Sequence, residues 1–129
     1  MNHVNSIIME GNMVNAPLLK YTNNGTAVCT FKIASDRFYK KDGQHEKETC
    51  FMDVQAWGKL AEIAGKYGHK GCEVRVTGRM KTDMWNGPDG RPRSKNIIVA
   101  ENVEFRRNKK EGESGEEING VGSDKTGGI

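Results

Sequence analysis

Residues 49–57, Thr-Cys-Phe-Met-Asp-Val-Gln-Ala-Trp, alternate strictly with period two, and that pattern restricts this part of the chain to a strand. Cys50, Met52, Val54 and Ala56 fall on one side, an apolar face suited to a core. Thr49, Phe51, Asp53, Gln55 and Trp57 fall on the other, polar apart from its two rings. Large rings on a polar face mark a surface that something covers in use. The cover is either a protein partner or a ligand that stacks on rings, and the rest of the chain bears on which.

Other segments carry the same signature. Residues 4–11 read as a first strand. Ile7, Ile8 and Met9 are consecutive there, so both faces are expected to be covered. Ala16-Pro17 breaks the chain. Residues 18–22 and 26–35 flank Asn23-Asn24-Gly25, a hairpin signal because Asn and Gly accept positive φ. In 26–35, Ala27, Cys29, Phe31 and Ile33 share a face, and Lys32 and Phe38 lie in the opposite phase. Residues 36–47 are charged, contain Phe38 and Tyr39, and hold an Asp42-Gly43 turn, which suggests a protruding loop or ribbon.

After the opening stretch, Leu60, Ile63, Ala64 and Tyr67 have helical spacing, with Gly68 placed to end the helix. Residues 72–85 alternate again. Val74, Val76, Met80 and Met84 point one way, while Trp85 falls in phase with Arg75, Arg79 and Lys81. Gly78 marks a bend or bulge in this strand. Residues 86–90, Asn-Gly-Pro-Asp-Gly, make a hairpin tip. Residues 94–105 close the body with Ile97, Val99, Val103 and Phe105 expected on one face.

Strands that curve strongly, with one short helix between the third and fourth, predict an all-β, five-stranded OB-fold barrel. An open antiparallel sheet covered by the helix satisfies the same local pattern. The 129 residues suffice for one domain, residues 1–107, followed by a Gly-rich acidic tail, 108–129, expected to be disordered. Residues 1–107 hold 17 Lys and Arg against 12 Asp and Glu, a balance of +5. Residues 108–129 hold three Lys against five acids, a balance of −2, so the two regions differ in role.

No apolar run approaches the ~20 residues of a membrane span, and the start lacks a secretory pattern. No membrane association is expected, and the default location is the cytoplasm. Cys29, Cys50 and Cys72 are odd in number, widely spaced and set in apolar strand contexts, where they serve as small hydrophobes. His3, His45 and His69 share no spacing, so no metal is expected. Phosphate-loop and nucleophile-elbow motifs are absent. Neither catalysis nor a cofactor is indicated.

Four rings fall out of phase with the apolar faces or in charged segments: Phe38, Phe51, Trp57 and Trp85. Near them in sequence are Arg37, Lys40, Lys41 and Lys59, then Arg75, Arg79 and Lys81, then Arg91 and Arg93. Any one such ring is more often core or a subunit contact, and strand charges are often merely solvated. The set points instead to a flexible single strand of nucleic acid. Bases stack on rings at about 1–3 kcal/mol each, and cations follow the phosphates. Duplex DNA hides its base faces and gives such rings little to grip. The step from Phe51 to Trp57 spans roughly 20 Å of strand, which suits a ligand draped across a sheet.

The sequence resembles the bacterial-type single-stranded DNA-binding proteins over about residues 2–106. The resemblance is carried by Val-Asn-Ser-Ile-Ile-Met-Glu-Gly-Asn at 4–12, Pro-Leu-Leu-Lys-Tyr at 17–21 with Asn24-Gly25, and Phe-Lys-Ile-Ala at 31–34. Further carriers are Phe-Met-Asp-Val-Gln-Ala-Trp-Gly-Lys-Leu-Ala-Glu at 51–62 and Lys-Gly-Cys-Glu-Val-Arg-Val-Thr-Gly-Arg-Met-Lys-Thr at 70–82. It implies the five-stranded barrel, a homotetramer wrapped by single-stranded DNA, and work in DNA replication, recombination and repair near the nucleoid. By motif position it places the stacking rings at Phe38, Phe51, Trp57 and Trp85. The family often has Trp where this chain has Phe38 and Phe51, and commonly Phe where it has Trp57.

The family usually ends in an acidic tip with Pro and Phe that docks replication and repair enzymes. Here the last residues are Ser-Asp-Lys-Thr-Gly-Gly-Ile, so docking of such proteins through a tip is not expected. That departure leaves a second expectation: a primosome-like or mobile-element accessory OB protein acting chiefly through protein–protein contacts.

Overall fold

The computed structural model describes residues 1–106 and, beyond them, only the backbone of short strands at Glu117–Asn119, Asp124–Lys125 and Gly127–Gly128. The expected disorder of the tail otherwise concerns residues outside those described. The body runs β1 (Ile7–Met13), β2 (Leu18–Tyr21), β3 (Ala27–Lys41), β4 (Gln44–Trp57), α1 (Lys59–Tyr67), β5 (Glu73–Asn86) and β6 (Pro92–Arg106).

The sheet order is β1-β5-β6-β4-β3, and β1 also pairs with β3, so five strands close on themselves. β2 is an added strand on the edge of β3. Two non-local pairings make the closure: Met13 opposite Ile33 between β1 and β3, and Val54 opposite Ile98 between the parallel β4 and β6. The open-sheet alternative is thereby excluded. Set aside β2, and α1 falls between the third and fourth barrel strands, as the OB-fold expectation requires.

Inward residues from every wall meet in one core, including Cys29, Phe31, Ile33, Val54, Val76 and Ile98. Ala61 and Ala64 of α1 are buried against it, and Leu60 and Ile63 pack at its margin. Small residues on the helix let its backbone approach the barrel closely. Gly58, at φ 65°, turns the chain from β4 into the helix, and its N–H donates to Ala27 O at 2.8 Å. The helix ends at Gly68, whose N–H donates to Ala64 O at 2.9 Å.

The expected face of 94–105 is corrected. Thr77 lies opposite Asn102 but Gly78 lies opposite Ala100, so Glu101 is one residue too many on β6. That bulge flips the phase. Val103 and Phe105 point inward after it, and Ile98 and Ala100 point inward before it. Ile97 and Val99 therefore face outward, buried but outside the core cluster. The sequence placed the irregularity at Gly78. A Cβ there would stand 2.1 Å from Val99 O, so only glycine permits the close approach, while the inserted residue sits on the partner strand.

Two further expectations change. Cys50 and Met84 keep the apolar phase of their strands yet are exposed. Both lie where β3–β4 and β5–β6 have run past the barrel as hairpins, with no core beneath them. The charged segment 36–47 is the first of these hairpins, a ribbon turning at Asp42 and Gly43, both at positive φ. On β1, Ile7 and Met9 pack against the core but Ile8 faces out and is exposed, so this chain covers only one face of that strand. Among the described residues no helix is long and apolar enough to cross a membrane.

Candidate nucleic-acid interface

Directly paired residues of a ladder project to the same side of a sheet. Trp57 lies opposite Val28, Phe51 opposite Ala34 and Phe38 opposite Lys47, so these three rings share one face of β3–β4. Asp53 opposite Ile97 and Gln55 opposite Val99 carry that face onto β6. Lys81 opposite Ile97 and Trp85 opposite Arg93 carry it onto β5. All four rings predicted from sequence thus stand on one continuous surface, the outside of the barrel and the matching side of both hairpins.

Each ring is open to solvent: Phe38 is 74% exposed, Phe51 58%, and Trp57 and Trp85 each 44%. Trp57 is also fixed, because its indole N–H donates to Gln55 Oε1 at 2.9 Å. The donor is satisfied within the strand, which leaves the ring face for stacking.

The cations divide. Arg79, Lys81 and Arg93 lie on the ring face by register, opposite Val99, Ile97 and Trp85. Lys40, opposite His45, has the phase of Phe38 near the ribbon tip. Arg91 and Arg93 flank the second hairpin turn, where Asp89 accepts from both backbone and side chains, with Arg93 at 3.5 Å. Lys59 opens α1, two residues after Trp57.

The other three of the predicted set are placed elsewhere. Arg37 and Lys41 have the opposite phase of the ribbon. Arg37 there pairs with Glu48 at 3.3 Å and lies 4.9 Å from the Tyr39 ring. Arg75 is held by Glu10 at 2.7 Å and Glu104 at 3.5 Å, on the wall that β5 shares with β1 and lower β6.

The predicted cation set leaves out three lysines of the ring face. Lys32 lies opposite Asp53, Lys47 opposite Phe38, and Lys95 opposite Asp83. Alternation already sets Lys32 in the phase of Phe38 without counting it in the site, and Lys95 shares the phase of Arg93, so the same reasoning could have found it. Lys47 needed the cross-strand register.

Lys95 Nζ reaches Asp53 Oδ2 at 2.8 Å, tying β6 to β4 where their backbones pair in parallel. Below the sheet, burial pushes the Cys29 thiol up to about 11. Burial raises Cys72 as well, against the opposing donation from the His69 N–H to its sulfur at 3.4 Å. Neither thiol is a nucleophile at neutral pH. The arrangement offers stacking and charge, applied across a curved surface.

Known proteins share this architecture. The model of the family described as "Single-strand binding protein family" matches residues 4–106. A single-stranded DNA-binding protein of Helicobacter hepaticus is 36% identical over 110 residues, covering 84% of this chain and 65% of that protein. Single-stranded DNA-binding protein 2 of Clostridium acetobutylicum is 41% identical over 103 residues, covering 79% and 76%. The chain thus spans about two thirds to three quarters of the length of these relatives. Among solved structures, the Plasmodium falciparum single-strand binding protein in complex with single-stranded DNA superposes with a TM-score of 0.71 at 24% identity, over 78% of this chain and 88% of that one. That likeness shows the fold. With the barrel closed as the register requires and residues 4–106 matched, the chain belongs to the single-strand binding protein family.

Proposed function

We propose that this protein binds single-stranded DNA with broad sequence tolerance, protecting and wrapping exposed strands during replication, recombination and repair. The observation that carries the reading is the common face of Phe38, Phe51, Trp57 and Trp85, exposed among cations. Rings at this spacing each accept a base, and Lys40, Arg79, Lys81 and Arg93 on the same face attract phosphates. Lys59 and Arg91 flank it. Lys41, Arg37 and Arg75 contribute general positive potential from other faces. The protein acts by binding, without catalysis, on DNA in the cytoplasm at the nucleoid.

Assembly as a homotetramer is part of the same reading. It is supported by family membership and by the exposed Ile8 on the outer face of β1. Light scattering at micromolar concentration tests it, and a monomer would contradict it.

The binding test is a fluorescence titration with oligo(dT). The strand should quench Trp57 and Trp85, and affinity should fall as salt rises, through counterion release. Trp85→Ala should lose about 1–3 kcal/mol of binding, the worth of one stacked base. An affinity unchanged by that substitution would remove Trp85 from the site. No quenching at low salt would remove the function. A matched RNA strand in competition reads whether the 2′-hydroxyl matters.

A further inference from the structure

Between Phe51 and Trp57, the two outward residues of β4 are Asp53 and Gln55. They line a cavity of about 310 Å³ on the ring face, together with Lys32, Thr30, Lys95 and Asp83. A ligand stacked on both rings passes over it. Its lining has an unusual charge balance for a nucleic-acid surface: two carboxylates and two ammonium groups.

The two ammonium groups balance the two carboxylates, so the pocket carries no net charge to draw a phosphate in, and an uncharged base edge suits its mixed donors and acceptors. Lys95 Nζ engages Asp53 through Oδ2 at 2.8 Å. Among the described residues, Oδ1 of Asp53 has no hydrogen bond or ion pair. An ionised carboxylate can only accept, and a lysine ammonium can only donate. Asp53 and Lys32 are direct cross-strand partners, which puts their Cβ atoms about 5 Å apart. An acceptor beside a donor complements a base edge with an amino group next to a ring nitrogen. Cytosine and adenine have such an edge. Thymine instead presents a carbonyl oxygen where the amino group would be, and that oxygen meets the carboxylate lone pairs.

We infer that Asp53 is a specificity-determining residue that biases the bound strand toward cytosine and adenine over thymine at the position between Phe51 and Trp57. The inference rests on the single-strand binding reading and adds graded base choice to it. Stacking still supplies most of the affinity and remains indifferent to sequence. Asp89 is paired with Arg93 within its own hairpin, whereas Asp53 is tied across strands to Lys95. Asp53 differs in facing the centre of the track.

The test is a four-cell comparison of oligo(dC) and oligo(dT), each about 16 nucleotides long to match one barrel, on the unaltered protein and on Asp53→Asn. The two pyrimidines are close in size, so their stacking is comparable. The unaltered protein should prefer oligo(dC). Asp53→Asn, which can donate as well as accept, should bind both strands more tightly and reduce the dC/dT affinity ratio about fivefold or more. A ratio equal in both proteins overturns the inference, because Asp53 would then act only through its charge. A second measurement needs no variant. A DNA strand of N4,N4-dimethyl-2′-deoxycytidine lacks amino hydrogens, and its affinity should drop to that of oligo(dT). Binding as tight as oligo(dC) overturns the inference by the same logic. If neither unmodified strand binds, single-strand binding itself has failed, an outcome distinct from loss of the ratio.

Discussion

In the barrel wall, Val54 and Ala56 of β4 are sealed in the core, whereas Cys50, in the same phase of the same strand, is open to solvent. On β5 the same contrast separates Val76 from Met84, which is 72% exposed. The alternation itself does not distinguish Cys50 from Val54, or Met84 from Val76. The difference is whether a second wall lies beneath. β4 pairs with β6 only from Asp53 to Gln55, and beyond it the two hairpins run on without a layer under them. Apolar phase therefore reports burial only where the barrel closes. In the hairpins it reports nothing about the core, and the exposed residues are available for binding.

Stability should separate the regions most. Ile98→Ala removes a fully buried side chain from the wall and should cost about 2–5 kcal/mol. Met84→Ala, in the hairpin, should change stability by no more than about 0.5 kcal/mol. Urea denaturation of the two variants at one protein concentration gives both numbers. A large loss for Met84→Ala that grows on dilution would show that a second copy covers this hairpin.

Thiol chemistry should sharpen the same contrast. Cys50 should react with a disulfide reagent promptly at pH 8, while Cys29 and Cys72 should react only as the protein unfolds. The buried pair also predicts the pH response. A folded-state value above the ordinary thiol value of 9.0 means that the native state prefers the proton. The Cys29 contribution is then complete below pH 9 and is lost as pH rises to about 11. Cys29→Val, which cannot ionise, should flatten the stability curve over that range. An unchanged alkaline limb would assign it to other groups.

Much of this was legible in the sequence because it is local. Alternation set the faces of β3, β4 and β5, Asn-Gly and Asp-Gly marked two turns, and four rings announced themselves by lying out of phase. The unreadable parts depend on partners distant in sequence. The closing pairs of β1 with β3 and of β4 with β6 join segments whose local patterns fit an open sheet equally well. The bulge at Glu101 left no mark on its own strand, because β6 is apolar in both phases from Ile97 to Ala100. Gly78, on the neighbouring strand, gave the only trace of it. Among the site residues, the rings were found because a ring on a polar face is rare. The cations were sorted poorly because a lysine or arginine in either phase of an exposed ribbon looks alike until the register is known.

The smallest predicted effect tests that sorting within a single ribbon. Lys47 stands opposite Phe38 on the ring face, and Arg37 stands opposite Glu48 on the reverse. A strand stacked on Phe38 approaches the first and passes on the far side of the second. Each phosphate neutralised contributes about 0.7 to the slope of log affinity against log salt for a single strand. Lys47→Gln should therefore lower that slope by about 0.7 for each DNA-binding barrel, while Arg37→Gln should leave it unchanged. Arg37 is already paired with Glu48 at 3.3 Å, and its substitution mainly releases an exposed carboxylate on the reverse face. Equal slope changes for the two would mean that the strand wraps around the ribbon and does not lie along one side of it, and the one-face geometry would fail at its most exposed ring.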